Sequence, residues 1–202
     1  MTITVYKNDL PDDLDLGKVV AIDTETLGLN TARDRLCVVQ ISSGDGNAHL
    51  VQFDPDNYEA PNLVRLLADA SVQKLFHFAR FDIASMAEYL GVLVENVYCT
   101  RTASYFSRTY TDNHGLKVLC EELLGIEISK KQQSSYWGND ELSKNQHEYA
   151  AGDVLYLHRL KAILDERLER EGRLELALAT MEFLPTRALL DIEGWPQDIF
   201  AH

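Results

Sequence analysis

Hydrophobic and polar positions alternate in two distinct rhythms along this chain. Val19 to Ile22 form an apolar run bounded by Gly17 and Gly28, the pattern of a buried central strand. "LCVVQISSG" and "AHLVQF" read as two more strands, joined by "SSGDGN", whose Asp-Gly step is a hairpin signal. These three segments predict an antiparallel meander. Pro61 then opens "PNLVRLLAD", with apolar positions 63, 66 and 67 on one helical face and proline in the first turn. "KLFHF" reads as a strand, "FDIASMAEYLG" as a helix closed by Gly91, "VYCT" as a strand and "RTASYFSRTY" as a helix. Strands alternating with helices after an initial meander predict an α/β fold, a mixed sheet covered by helices.

From residue 115 onward the rhythm is helical. "GLKVLCEELLG" places Leu116, Leu119, Leu123 and Leu124 on one face, with Gly125 as a stop. Ser143 and Gln146 form a capping box that opens one long predicted helix through "NQHEYAAGDVLYLHRLKAILDERLEREG". The charge run "DERLEREGR" reads as a solvated face. The last stretch, "FLPTRALLDIEGWPQDIFAH", carries Phe183, Leu184, Trp195, Ile199 and Phe200 on an expected mobile tail, and these apolar residues imply docking on the body or on a neighbouring subunit.

With 202 residues and 46% hydrophobic composition, residues 1–202 are expected to form one domain, with about 172–202 as a C-terminal helical segment and tail. The N-terminus lacks the basic and apolar regions of a signal peptide, and no apolar run reaches the ~18 residues of a membrane span. A cytoplasmic protein without membrane contact is expected. Cys37, Cys99 and Cys120 are widely spaced in apolar surroundings, which fits buried reduced thiols. The formal charge is −13, from 32 acidic and 19 basic residues. A surplus of that sign argues against a protein that tracks a long nucleic acid, because such binding neutralises many phosphates. A phosphate ligand would have to be short, or held by metal ions and a local basic cluster.

The candidate chemistry lies in carboxylates. Asp23 and Glu25 end the first predicted strand and point to one side of it, where they repel unless a cation or proton lies between them. The spacing alone is weak, since Asp191-Ile192-Glu193 repeats it elsewhere. Asp82, in "HFARFD", lies at the start of a helix, where an N-cap is the plain alternative. Asp153 sits among Ala150, Ala151, Val154, Leu155 and Leu157, and a carboxylate on so apolar a stretch needs a partner. Tyr149 is four residues earlier, on the same helix face. Tyr136 and Asp140 repeat the interval, but Gly138 and Asn139 between them do not read as helix.

Asp-x-Glu at a strand end, a mid-chain Asp before a helix, and Tyr-x-x-x-Asp on a late helix together resemble the DEDDy branch of 3′-to-5′ exonucleases, the ribonuclease D family. "HFARFD", "KQQSSYW" and "EYAAGDVLYLHRL" support this over roughly residues 17–165. "DTETLGL", "DRLCVVQISSGDG", "RTYTDNHGLK" and "GWPQDIFAH" resemble the short nano-RNase C group of that family over nearly the whole length. Tyr136 departs from the usual Asp of ribonuclease D, and the chain has no room for the helical HRDC domains that family carries.

The resemblance implies a ribonuclease H-like, DnaQ-like fold and two divalent ions, Mg²⁺ or Mn²⁺. Asp23 would bridge both ions, Glu25 and Asp153 would complete the first, and Asp82 would reach the second. Tyr149 would orient the attacking water. The sister branch needs a histidine five residues before Asp153, and position 148 is Glu. The implied substrate is short RNA, especially diribonucleotides, with single-stranded DNA as an alternative, and the implied assembly is a ring-like octamer. Thr26, Leu27, Leu29 and His77 are expected beside the bases and the acids. Arg108, His114, Lys117, Lys130, Lys131, Gln132, Ser134 and Ser135 form a polar and basic cluster expected to contact the 5′ phosphate or sugar. A general ribonuclease D-like or DNA exonuclease is the rival enzyme. A catalytically inactive nucleic-acid-binding module is the rival outside enzymes, although all four acids and the tyrosine are in place.

Overall fold

The computed structural model describes residues 1–129 and 131–201. One mixed sheet contains β1 (Ile3–Lys7), β2 (Val19–Thr26), β3 (Leu36–Ser42), β4 (Ala48–Gln52), β5 (Gln73–Phe76) and β6 (Val97–Cys99). Their spatial order is β1-β4-β3-β2-β5-β6. The predicted meander is present as antiparallel β2, β3 and β4, while β5 runs parallel to β2 and β6 parallel to β5. β1 was not anticipated. It pairs in parallel with β4 through Ile3↔Ala48 to Lys7↔Gln52, so its partner lies far away in sequence and no local turn announces it.

The sheet's interior strands are apolar because both faces are covered. Every residue of β3 is buried. Register places Asp23 opposite Gln40 and Glu25 opposite Val38, so both acids share the face on which Val38 and Leu50 pack with Ala150 and Trp137. Thr24 points to the other face. A register shift between Glu25 and Thr26 lets β2 leave its partner at the strand end.

The helices are α1 (Pro61–Ala68), α2 (Ala79–Leu90), α3 (Thr100–Ser107), α4 (Leu116–Leu119), α5 (Lys144–Val154), α6 (Leu157–Arg170), α7 (Leu174–Glu182) and α8 (Leu184–Ile192). Gly91 closes α2 at φ 63, a left-handed position suited to glycine. The predicted helix ending at Gly125 is α4 continued by a π-helical segment, Cys120–Leu124. The single long helix expected from Ser143 is instead two. The capping box opens α5 as predicted, but the chain turns at Leu155 and Tyr156, because α5 packs across β2, β3 and β4 whereas α6 packs mainly on α3. His158 ties the start of α6 to β2 through a 2.9 Å contact between its Nε2 and the Val19 carbonyl.

All three cysteines are buried free thiols, and burial pushes Cys37 up to about 11 and Cys120 up to about 12. Among the described residues no helix is long and apolar enough to cross a membrane. The C-terminal segment is helical through α8, which packs on α2. Asp191, from the second Asp-x-Glu, accepts two 2.6 Å hydrogen bonds from Arg80 and a 2.9 Å bond from Arg187. Arg80 and Arg187 also hold the carbonyls of Pro196 and Trp195. Asp191, the first acid of that motif, therefore serves as a brace for the tail.

Candidate active site

The parallel strands β2 and β5 end at one edge of the sheet, where ligands of open α/β sheets bind. A cleft of about 710 Å³ opens there, lined by Asp23, Glu25, Asp82, Tyr149 and Asp153 among others. Strand alternation aims Asp23 and Glu25 toward α5, whose helical repeat presents Tyr149 and Asp153 on one stripe. Carboxylate oxygens of Asp23, Glu25 and Asp153 lie within 4.8 Å of one another. Gln40 donates to Asp23 at 3.3 Å from the neighbouring strand. Asp82 arrives from the first turn of α2, 4% exposed, and accepts a 2.6 Å hydrogen bond from the Thr24 hydroxyl. It does not cap the helix, since Phe78 holds that position.

This concentration of acids is electrostatically unfavourable without a cation. Burial, then the charges of Asp82, Asp153 and Glu25, hold Asp23 well above the ordinary carboxylate range. Glu25 is pushed up to about 9 by burial and then by Asp153 and Asp82. Burial raises Asp82 to about 7 although the Thr24 hydrogen bonds oppose it. Burial and the neighbouring acids also raise the Tyr149 phenol, so it stays protonated at neutral pH. The Trp137 ring packs 6.0 Å from Tyr149, centroid to centroid, and is itself buried. Hard oxygen donors in this number suit Mg²⁺ or Mn²⁺ better than zinc, and the raised acids fit a site whose protons are exchanged for divalent ions.

The cleft also gathers Thr26, Leu27, Leu29, His77, Lys117, Ser134 and Ser135, as expected from sequence. Leu29 is 88% exposed. His77 is oriented by a 2.9 Å contact from Nδ1 to the Thr100 hydroxyl, which donates in turn to the Phe76 carbonyl. Gln132 and Lys131 line an adjoining cavity of about 440 Å³ that also reaches Tyr149 and Asp153. Lys130 lies outside the described residues.

Two expectations for the basic cluster are corrected. Arg108 is 0% exposed and pairs with Glu122, while donating to the Ser104 hydroxyl at 3.0 Å and the Asn113 carbonyl at 2.7 Å. His114 is buried beneath Tyr105 and joined to Ser104 at 2.8 Å. Both hold the end of α3 to the loop that follows it, and neither lines the cleft. Besides Lys117, the cation that does is Arg101, which sequence reasoning passed over because it sits in a helix, apart from the basic run. Phe78, Phe81, Ser129, Gln133 and Trp137 are further lining residues not anticipated. The helical spacing of Arg101 after the strand "VYC" was the available signal.

Carboxylates from one strand end and two helices, with a protonated tyrosine beside them, define a site built for metal-assisted phosphodiester chemistry. A 3′-5′ exonuclease family model matches residues 6–169, and the chain belongs to that family. Ribonuclease D of Granulibacter bethesdensis is 36% identical over 155 residues, 77% of this chain and 39% of that protein. Ribonuclease D of Gluconacetobacter diazotrophicus is 35% identical over 165 residues, 82% of this chain and 42% of the relative. The chain thus spans about two fifths of the length of these curated relatives. Among solved structures, Brucella melitensis NrnC bound to pGG is 57% identical, with TM-score 0.97 over 100% of this chain and 99% of that one. Brucella melitensis NrnC with bound Mg²⁺ is 56% identical, with TM-score 0.96 and complete coverage of both chains. Escherichia coli RNase D gives TM-score 0.73 at 27% identity over 85% of this chain and 45% of that one. The ribonuclease H-like fold and the nano-RNase C resemblance both follow.

Proposed function

We propose that this chain is a divalent-metal-dependent 3′-to-5′ exoribonuclease that hydrolyses short RNA, diribonucleotides above all, to nucleoside 5′-monophosphates. The observation that carries this reading is the convergence of Asp23, Glu25 and Asp153 within 4.8 Å in a cleft shared with Asp82 and Tyr149. Asp23 would contact both ions, Glu25 and Asp153 the first and Asp82 the second. When bound, the two ions supply a nucleophile at neutral pH and stabilise charge on the scissile phosphate and the departing oxygen. Tyr149, kept protonated by its surroundings, serves as a fixed donor that orients the attacking water. The water gives up one proton as its oxygen bonds to phosphorus, the bond from phosphorus to the 3′ oxygen breaks, and the leaving 3′ oxygen takes up one proton from solvent, so that the proton count balances.

The short-substrate reading is supported by Brucella melitensis NrnC bound to pGG and by the charge of −13. Arg101 and Lys117 are the cations lining the cleft among the described residues, enough for one or two phosphates. We assign them, in place of Arg108 and His114, to the phosphate that is not cleaved. The ribonuclease D relatives favour a second reading, a processive or distributive exonuclease on longer RNA. Labelled RNAs of two, five and twenty nucleotides, incubated with and without Mg²⁺, separate the two. Fastest turnover of the dinucleotide, only with metal, is expected, and equal turnover of the twenty-mer defeats the short-substrate reading. Self-association through the exposed Trp195, Ile199 and Phe200 is part of the proposal.

A further inference from the structure

Phe78 is left over once the acids, the tyrosine and the cations have roles. It caps α2 in the left-handed region, at φ 78 and ψ 44, a conformation that a bulky side chain adopts at a cost and glycine adopts freely. Strain of that kind persists where the surrounding structure or the function requires it. The residue lies between the strand-end His77 and the first turn of α2, and all of His77, Phe78, Phe81 and Asp82 line the cleft. The residue is 48% exposed there, in the cleft that also holds the four carboxylates. The Arg101 guanidinium sits over it, 4.7 Å from the centroid, and Tyr105 supports the same cation at 5.8 Å. The ring is thus braced by Arg101, and its remaining surface is offered to the cleft.

An aromatic surface presented beside a phosphodiester site, backed by a cation, matches the chemistry that holds single-stranded bases. We infer that Phe78 is a nucleobase-stacking residue, whose ring receives the flat face of one substrate base while Arg101 locks it in place. The inference rests on the short-RNA reading and adds to it a specificity element on α2, distinct from Leu27 and Leu29 after β2. The twisted backbone at residue 78 follows from that role, because it turns the side chain out of the helix toward the cleft.

The test compares wild type with Phe78→Gly, Phe78→Ala and Phe78→Trp by kcat, KM, Tm and Mg²⁺ affinity. The substrates are 5′-phosphorylated diguanylate and two analogues, each lacking one base. Phe78→Gly is expected to melt within a few degrees of wild type, because a relaxed backbone offsets lost ring contacts. Its KM for diguanylate should rise about tenfold with kcat little changed, and Phe78→Trp should keep a near wild-type KM. With one of the two analogues the Phe78→Gly penalty should vanish, which identifies the stacked base. Unchanged KM in the Gly and Ala variants overturns the inference. So does a penalty that persists with both analogues, or a parallel loss of Tm and Mg²⁺ affinity, either of which would make Phe78 a scaffold for Asp82. If wild type prefers the five-nucleotide RNA, the proposed dinucleotide specificity fails by itself, and the same comparison on that RNA decides Phe78.

Discussion

Asp23, Glu25 and Asp82 are carboxyl groups that folding makes difficult to ionise, with Glu25 near 9 and Asp82 near 7. Unfolded carboxyls titrate near about 4. Between those values the folded chain holds more protons than the unfolded one, so metal-free stability falls as pH rises from about 4 through about 9. The expected Tm without metal is higher at pH 5 than at pH 9, and Mg²⁺ should restore the difference at high pH. A flat metal-free melting profile would mean the acids are not desolvated together. By the same reasoning Asp153→Asn should abolish turnover while raising the metal-free Tm at pH 8, since one repelling charge is removed. On the proposed mechanism, Tyr149→Phe removes a hydroxyl that acts mainly in the transition state. Its kcat should drop by about 10²-fold with KM little changed, measured on a dinucleotide.

At the scale of elements, α3 carries two arginines with opposite duties. Arg101 faces the cleft, whereas Arg108 closes the helix end and ties it to Glu122 and Asn113. Arg108→Ala should cost about 2 kcal/mol, because Ser104 and Asn113 lose buried hydrogen bonds to a charged group. That lowers Tm by about 4–8 °C for a chain of this size, without raising KM. Arg101→Ala should do the reverse, raising KM with Tm nearly unchanged. Thermal melting and steady-state kinetics on both variants check the assignment. The contact between α2 and α8 shows a similar division. Arg80 lies between the cleft residues Phe78 and Asp82, yet its guanidinium is turned away to Asp191. One face of α2 therefore serves the site and the other holds the C-terminal brace.

Over the whole molecule, the short-substrate proposal makes net charge a limit on substrate length. A chain at −13 with two cleft cations releases few counterions on binding, so the salt dependence of dinucleotide affinity should have a slope equivalent to about one or two phosphates. Titrations between low and moderate salt measure it, and a slope of six or more would require phosphate contacts well beyond the two cleft cations. The tail tests assembly. Phe183 and Phe200 rings lie 6.1 Å apart, and Trp195, Ile199 and Phe200 remain exposed after the Arg80 and Arg187 brace has formed. Truncation before Trp195 should lower the native mass in light scattering, because aromatic anchors carry much of an interface. An unchanged mass would assign the tail to its own subunit.

The linear pattern determined whatever depends on near neighbours. Alternation and turn residues marked the β2–β4 meander, the Ser143–Gln146 box marked the start of α5, and the four-residue interval put Tyr149 beside Asp153. The acids stood out because carboxylates in apolar stretches need partners, and the family resemblance rested on those same residues. Tertiary structure decided what depends on packing between distant segments. β1 became a strand only by pairing with β4, and the expected long helix divided at Leu155 because its halves pack on different elements. Arg108 and Arg101 are alike in composition and neighbourhood along the chain, and only the fold buries one against Glu122 and opens the other to the cleft. Burial is a property of the surrounding volume, which sequence spacing does not encode, and it separates a structural cation from one able to meet a phosphate.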